Sequence, residues 1–91
     1  KSRIADNLIE SLLKYATLLD EHEAFDTKLL ISDIIFRFDS VNEAALRLKC
    51  ATYVFMRKQY MAKTTYEHFC REYKSLYDEP FEHSFNSIIS Q

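Results

Sequence analysis

The sequence predicts an all-α protein, because its turn residues are too few for a β fold and its apolar residues follow a helical period. The chain contains no glycine, and its only proline is Pro80. A β-rich domain of this size needs several tight turns, which usually require glycine at positive φ. Apolar residues instead recur at intervals of three and four, the spacing of an amphipathic helix. The chain has 91 residues, of which 47% are hydrophobic. We therefore expect residues 1–91 to form one domain with its own core.

Five helices are predicted from this periodicity and from the breaks between its segments. The third has apolar residues on two sides, which indicates that it packs on both flanks. Asp39, Ser40 and Asn42 precede it and supply oxygens that can cap its first N–H groups. Pro80 is expected to open the fifth helix at a first-turn position. The predicted helices cover residues 2–20, 24–38, 42–57, 60–77 and 81–90.

Short loops between these helices predict two stacked antiparallel hairpins and a C-terminal closing helix. A shift of 34 residues pairs Ala16 with Cys50 and Ile35 with Phe69, so that small residues fall on small ones and large residues on large ones. Because 34 residues is the period of tetratricopeptide repeats, we expect a tetratricopeptide-like, superhelical arrangement. The side chains expected to be mostly buried together are Leu12, Ala16, Leu19, Ile35, Cys50, Tyr53, Tyr66 and Phe69.

The aromatic and basic stretch YEHFCREYKSLY, residues 66–77, allows two interpretations. Exposed rings interleaved with basic residues would favour a single-stranded nucleic-acid surface. However, the net charge of the chain is −2, and Glu67 and Glu72 offset the neighbouring basic residues. The spacing of Tyr66, Phe69 and Tyr73 is that of a helix face buried in a core. We therefore interpret the stretch as a core face and expect no direct contact with nucleic acid.

No residue pattern indicates a catalytic, cofactor or metal site. His68 and Cys70 are two residues apart and point to different sides of a helix, so one ion cannot easily bind both. A chain without glycine has no easy way to form a tight backbone nest for an oxyanion. The carboxylates cluster where helices begin and end, where solvated caps are the usual explanation. We therefore expect no enzyme activity, no cofactor and no metal.

The cysteine content and hydropathy indicate a cytoplasmic protein. Cys50 and Cys70 lie twenty residues apart without a CxxC motif, a pattern typical of reduced thiols rather than of a disulfide framework. No stretch approaches the roughly 18 uncharged apolar residues that a membrane span needs. Because the chain begins at Lys1 rather than at methionine, we expect it to be an excised piece of a longer protein.

Residues 12–81, LLKYATLLDEHEAFDTKLLISDIIFRFDSVNEAALRLKCATYVFMRKQYMAKTTYEHFCREYKSLYDEPF, resemble the bacterial transcriptional activator domain. In that family the last repeat has an alanine, a Y-x-x-F helix and an acidic-proline segment before the closing helix. Ala62, Tyr66, Phe69 and residues 78–80 stand in those places. The chain departs from the family in lacking glycine at the hairpin turns and in carrying Lys28 where the first repeat usually has alanine. The resemblance implies a tetratricopeptide-like domain that follows a winged-helix DNA-binding domain in a transcription regulator.

The tetratricopeptide likeness also implies a groove lined by the first helix of each hairpin. Its lining would include Leu13 and Thr17 from the first helix, and Arg47, Ala51 and Val54 from the third. The alternative is that these side chains pack against the closing helix or a neighbouring domain.

A second candidate surface lies at the N-terminal end, which a two-repeat array leaves without a further repeat to cover it. Ile4, Leu8 and Ile9 are expected there, with Leu30 and Ile34 opposite. Because one hairpin can bury these residues only partly, we expect apolar area to remain open. The expected partner is a protein, either the DNA-binding domain of the parent chain or a second copy.

Two functions of different classes follow from these expectations. The first is a regulatory or oligomerising domain of a bacterial transcription regulator that contacts protein and not DNA. The second is a generic tetratricopeptide-like adaptor that binds a peptide or partner helix and has no part in transcription. A winged-helix domain on the N-terminal side of the parent chain would favour the first, and further 34-residue repeats would favour the second.

Overall fold

The computed structural model describes residues 3–20 and 22–90, and all regular structure in these ranges is helical. The all-α prediction is confirmed. The five helices are α1 (Arg3–Thr17), α2 (Phe25–Phe38), α3 (Glu43–Phe55), α4 (Gln59–Tyr77) and α5 (Phe85–Ile89). The predicted start of the first helix, residue 2, lies outside the described residues.

The fifth helix is shorter than predicted, because a serine and not Pro80 begins it. The Ser84 hydroxyl accepts a hydrogen bond from the Ser87 N–H at 3.1 Å, so Ser84 is the N-cap. Such a cap satisfies one of the unpaired N–H groups in the first helical turn. Residues 81–84 form a loop, in which Phe81 packs against the core.

The helices α2 and α4 end at the predicted residues, 38 and 77, and the other described helix ends depart from the prediction by one to three residues. The first helix ends at Thr17, whose hydroxyl donates to the Lys14 carbonyl at 2.7 Å, a local bond of the kind that competes with the helix ladder. The third begins one residue later than predicted, because Asn42 is its cap: the Asn42 side chain accepts from the Ala45 N–H at 2.9 Å. It ends at Phe55 and not at residue 57.

The hairpin turns use residues other than glycine in the left-handed region. Ala24, Arg57 and Asp78 have φ values of 57°, 63° and 56°. At the end of α3, the Arg57 N–H donates to the Val54 carbonyl at 3.0 Å, and the Lys58 N–H donates to the Tyr53 carbonyl at 2.8 Å. These two bonds form a Schellman motif, which normally has glycine at the position of Arg57.

The third helix is the centre of the molecule. It packs against α2, α4 and α5, whereas α1 packs against α2. These contacts agree with the expected packing of the third helix on both flanks, and they are compatible with two stacked hairpins. Two buried clusters lie on either side of α3: Ile9, Ala16, Ile31, Ile35 and Ala45 form the first, and Leu46, Cys50, Ala62, Phe69 and Ile88 form the second.

The predicted core residues divide between these two clusters. Four of them are buried: Ala16, Ile35, Cys50 and Phe69. The other four are half-buried at the cluster margins: Leu12, Leu19, Tyr53 and Tyr66. The expectation of one common core is thus corrected to two clusters, because α3 lies between the hairpin formed by α1 and α2 and the layer formed by α4 and α5.

The aromatic face of α4 belongs to the second cluster. Phe69 is buried, and its ring meets that of Phe81 edge-on with 4.9 Å between the centroids. The Tyr66 hydroxyl reaches the rim of the cluster and donates to the His83 carbonyl at 2.7 Å. Tyr73 packs beside the Phe69 ring at 6.3 Å. The interpretation of this stretch as a core face is therefore confirmed.

Candidate partner-binding groove

An open groove runs between α1 and α3. Its volume is about 530 Å³. The α1 side and the residues that follow α1 contribute Leu13, Ala16, Thr17 and Leu19; α2 contributes Lys28; and α3 contributes Ala44, Arg47, Leu48, Ala51, Thr52 and Phe55. We call this feature the partner groove.

The residue sizes on α3 explain why the groove exists. Ala44, Leu48, Ala51 and Phe55 follow one another at steps of four, three and four residues, so they share one helix face. The two alanines leave space that larger side chains would fill. At the Phe55 end, the ring of His22 meets the Phe55 ring edge-on at 5.0 Å. This contact ties the connection between α1 and α2 to the end of α3.

Arg47 lies at the edge of the partner groove with an incomplete set of hydrogen bonds. Its Nη2 atom donates to a Glu43 carboxylate oxygen at 3.0 Å. Its Nη1 atom is shielded from solvent and has no hydrogen-bond partner among the described residues. The side chain as a whole is 29% exposed. The guanidinium group is therefore anchored on one side only.

Lys28 is the most deeply buried charged residue among those described, with 5% of its surface exposed. Its ammonium group donates to the Asp20 carbonyl and lies 5.8 Å from the centroid of the Phe25 ring. Among the residues described, no carboxylate forms an ion pair with it. A lysine ammonium has three donors, so the described structure leaves part of its capacity unused.

The partner groove brings together four of the predicted site residues: Leu13, Thr17, Arg47 and Ala51. Val54 does not line it. Val54 packs against the second cluster, because its position on α3 is turned away from Ala44 and Phe55.

The N-terminal surface is partly as predicted. Leu30 is 58% exposed, Ile34 is half-buried, and Leu8 is exposed. The prediction for Ile9 is wrong, because Ile9 is buried in the first cluster. Ile4 is exposed at the start of α1. Apolar area therefore remains open on both α1 and α2.

Several groove residues were not predicted from the sequence, Lys28 above all. Leu48 and Phe55 share a face of α3 with Ala51, so helix periodicity could have added them to the predicted groove. Lys28 gave no such signal, because lysine is usually exposed and its burial depends on how α1, α2 and α3 meet.

The cysteine and tyrosine at the second cluster are held in their neutral forms. Burial raises the pKa of the Cys50 thiol from 9.0 to about 12, and nearby Lys49 lowers it only in part. The Cys50 thiol donates to the Ala62 carbonyl at 3.4 Å. Burial raises the pKa of Tyr66 to about 12, and the neighbouring Cys70 side chain acts in the same direction. A thiol in this state is a poor nucleophile and a poor metal ligand.

Residues 3–20 and 22–90 contain no group of three or more His, Cys, Asp or Glu side chains placed to hold a metal ion. None of the helices in these ranges has both the length and the apolar character needed to cross a membrane.

Comparison of the chain with protein-family models, with curated proteins and with solved structures gave no match. The function is therefore inferred from the partner groove and from the exposed apolar residues of α1 and α2.

Proposed function

We propose that the chain is a regulatory protein-interaction or oligomerisation domain of a bacterial transcription regulator, cytoplasmic and not itself DNA-binding. The observation that carries this proposal is the partner groove, an open and largely apolar surface on a small domain. Exposed apolar surface of this kind typically marks a site for another protein. The transcription context rests on the resemblance of residues 12–81 to the bacterial transcriptional activator domain.

The proposed lack of direct DNA contact is supported by charge and by the orientation of the aromatic residues. The net charge is −2, whereas DNA-binding domains usually carry a basic patch. The aromatic face of α4 packs into the second cluster through Phe69 and is not available for stacking on bases.

A tetratricopeptide-like adaptor outside transcription is the second candidate. The groove between α1 and α3 favours it, because the first helices of successive hairpins line the groove of a helical solenoid. Both candidates require a protein partner, and they differ in what the parent chain carries on its N-terminal side.

Sedimentation of the chain and of its parent tests the association surface on α1 and α2. We expect Leu30→Glu and Ile34→Glu to weaken self-association, or association with the preceding domain, while circular dichroism shows nearly unchanged helix content. Leu76→Glu is the matched control, because Leu76 is 59% exposed on α4, away from α1 and α2. Association that is absent in the parent chain, or undiminished in both variants, would contradict this surface.

A further inference from the structure

We infer that the partner groove binds a short acidic segment of a protein partner, in which a carboxylate is flanked by apolar residues. This inference rests on the proposed function and specifies the chemistry of the partner. Arg47 and Lys28 would hold the carboxylate, and the apolar walls would hold its neighbours.

The charges that line the partner groove are all of one sign. Its eleven lining residues include two cations and no carboxylate. The depression between α2 and α4 differs, because the carboxylates Asp33 and Glu72 line it together with Lys49. Complementary charge is a main source of specificity at protein interfaces, so the partner groove selects an anionic segment.

The guanidinium group of Arg47 has a geometry that suits a carboxylate ligand. A guanidinium group offers two parallel N–H donors that match the two oxygens of a carboxylate. The Nη2 atom of Arg47 is bound to Glu43, and Nη1 has no partner among the described residues. A buried donor without a partner is destabilising. Because the side chain is partly exposed, it can turn toward the groove and present both nitrogens to a ligand.

Lys28 is a second, independent indication of an anionic ligand. A buried ammonium group is unfavourable unless it is paired or fully hydrogen-bonded. The described residues give it one carbonyl, that of Asp20, and no carboxylate. Lys28 lines the partner groove, so a ligand carboxylate bound there would supply a counter-charge.

The dimensions of the groove limit the ligand to a short segment. From Ala44 to Phe55 the α3 wall covers eleven helical steps, roughly 16 Å at 1.5 Å per residue. An extended segment of about five residues spans that length at 3.3 Å per residue. Leu13, Leu48 and Phe55 provide apolar contacts beside the two cations.

The test is a selection of displayed random twelve-residue peptides on the 91-residue chain, followed by fluorescence anisotropy of the recovered peptides. We expect the recovered peptides to carry Asp or Glu between apolar residues. Changing that residue to Asn or Gln should weaken binding at least tenfold, and Arg47→Gln should weaken it equally. Lys49→Gln is the matched control, because it removes a cation from the same helix outside the partner groove, and it should leave the affinity unchanged.

Thermal melts accompany each variant, and we expect Arg47→Gln to fold, since the partly exposed ion pair between Glu43 and Arg47, four residues apart, contributes little stability. If Arg47→Gln unfolds, Lys28→Met and the amide-substituted peptides give the same test.

Recovery of no peptide, recovery of peptides without an acidic residue, or equal binding to Arg47→Gln would overturn the inference. Recovery of neutral peptides whose binding is abolished by Ala51→Glu would overturn the inference of an acidic ligand. It would leave the proposed function intact, because the groove would still bind a protein segment. An absence of association in sedimentation would count against the proposed function itself.

Discussion

The burial of individual side chains in the second cluster determines much of the expected stability. Phe69 is buried among aromatic rings from α2, α4 and the loop before α5. We expect Phe69→Ala to lower the free energy of unfolding by about 3–5 kcal/mol, because it removes the ring and leaves a cavity. Urea unfolding measures the change. Tyr60→Ala, at a residue of the same helix that is 83% exposed, is the control and should have little effect. Equal stability of Phe69→Ala and the parent would contradict the core assignment.

The Cys50 thiol makes the stability depend on pH in the alkaline range. Its pKa is raised from 9.0 to about 12 in the folded state, so the unfolded chain releases this proton first as pH rises. The contribution of Cys50 is therefore complete below pH 9 and is lost as pH rises from 9 toward 12. Tyr66 adds a loss of the same sign between pH 10 and about 12.

We expect urea unfolding to show a lower free energy of unfolding at pH 11 than at pH 8. The difference between the two pH values should be smaller in Cys50→Ala, which has no thiol to titrate at this position. A difference of the same size in the variant and the parent would show that Cys50 does not contribute.

Residue roles were predictable from sequence where periodicity determines them. Ala16, Ile35, Cys50 and Phe69 are buried as expected because each lies on an apolar helix face. Lys28 is buried because of the way in which α1, α2 and α3 meet, and helix periodicity alone does not predict that junction.

The ends of the helices show how a chain without glycine makes its turns. Arg57 occupies the left-handed position that follows α3, with φ of 63°. A residue with a Cβ atom is less stable there than glycine by about 1–2 kcal/mol. Replacement by glycine removes this penalty. Glycine also has more conformational freedom in the unfolded chain, and that freedom offsets part of the stability gained.

We therefore expect Arg57→Gly to raise the free energy of unfolding by about 0.5–1 kcal/mol, as measured by urea unfolding. Lys58→Gly is the matched control, because Lys58 has φ of −116°, and there the substitution should lower the free energy. A loss of stability in Arg57→Gly would contradict the assigned Schellman motif.

The number of helices and their order along the chain could be predicted from the sequence. The residues at which the helices begin and end depended on local hydrogen bonds. Asn42 was one of three predicted capping residues, with Asp39 and Ser40, and it is the one that caps α3. The start of the fifth helix that was predicted from Pro80 is four residues too early. The Ser84 hydroxyl begins that helix four residues later, and Phe81 is fixed in the core ahead of it.

At the scale of the whole molecule, the charge distribution predicts weak interaction with DNA. Binding to duplex DNA depends strongly on phosphate neutralisation by Lys and Arg, and this chain has a net charge of −2. In a mobility-shift assay we expect no binding of the 91-residue chain at micromolar concentration. Salt-sensitive binding below one micromolar would contradict the proposal and would favour a nucleic-acid surface on α4.

The partner groove was only partly predictable, because it depends on how the hairpins stack. Four of its residues, Leu13, Thr17, Arg47 and Ala51, were predicted from the tetratricopeptide likeness. Val54 was misplaced because it lies at the margin of the groove face of α3, beyond Arg47, where its side chain packs against the second cluster.

Site-specific photo-crosslinking tests most directly whether the groove binds protein. Benzoylphenylalanine in place of Phe55, which lines the groove and is partly exposed, replaces one aromatic side chain with another. The same substitution at Tyr77, an exposed aromatic residue at the far end of α4, is the control. In cells that produce the chain, we expect a crosslink from position 55 to a polypeptide and none to the same polypeptide from position 77. A crosslink to nucleic acid, or no adduct at position 55, would contradict the account.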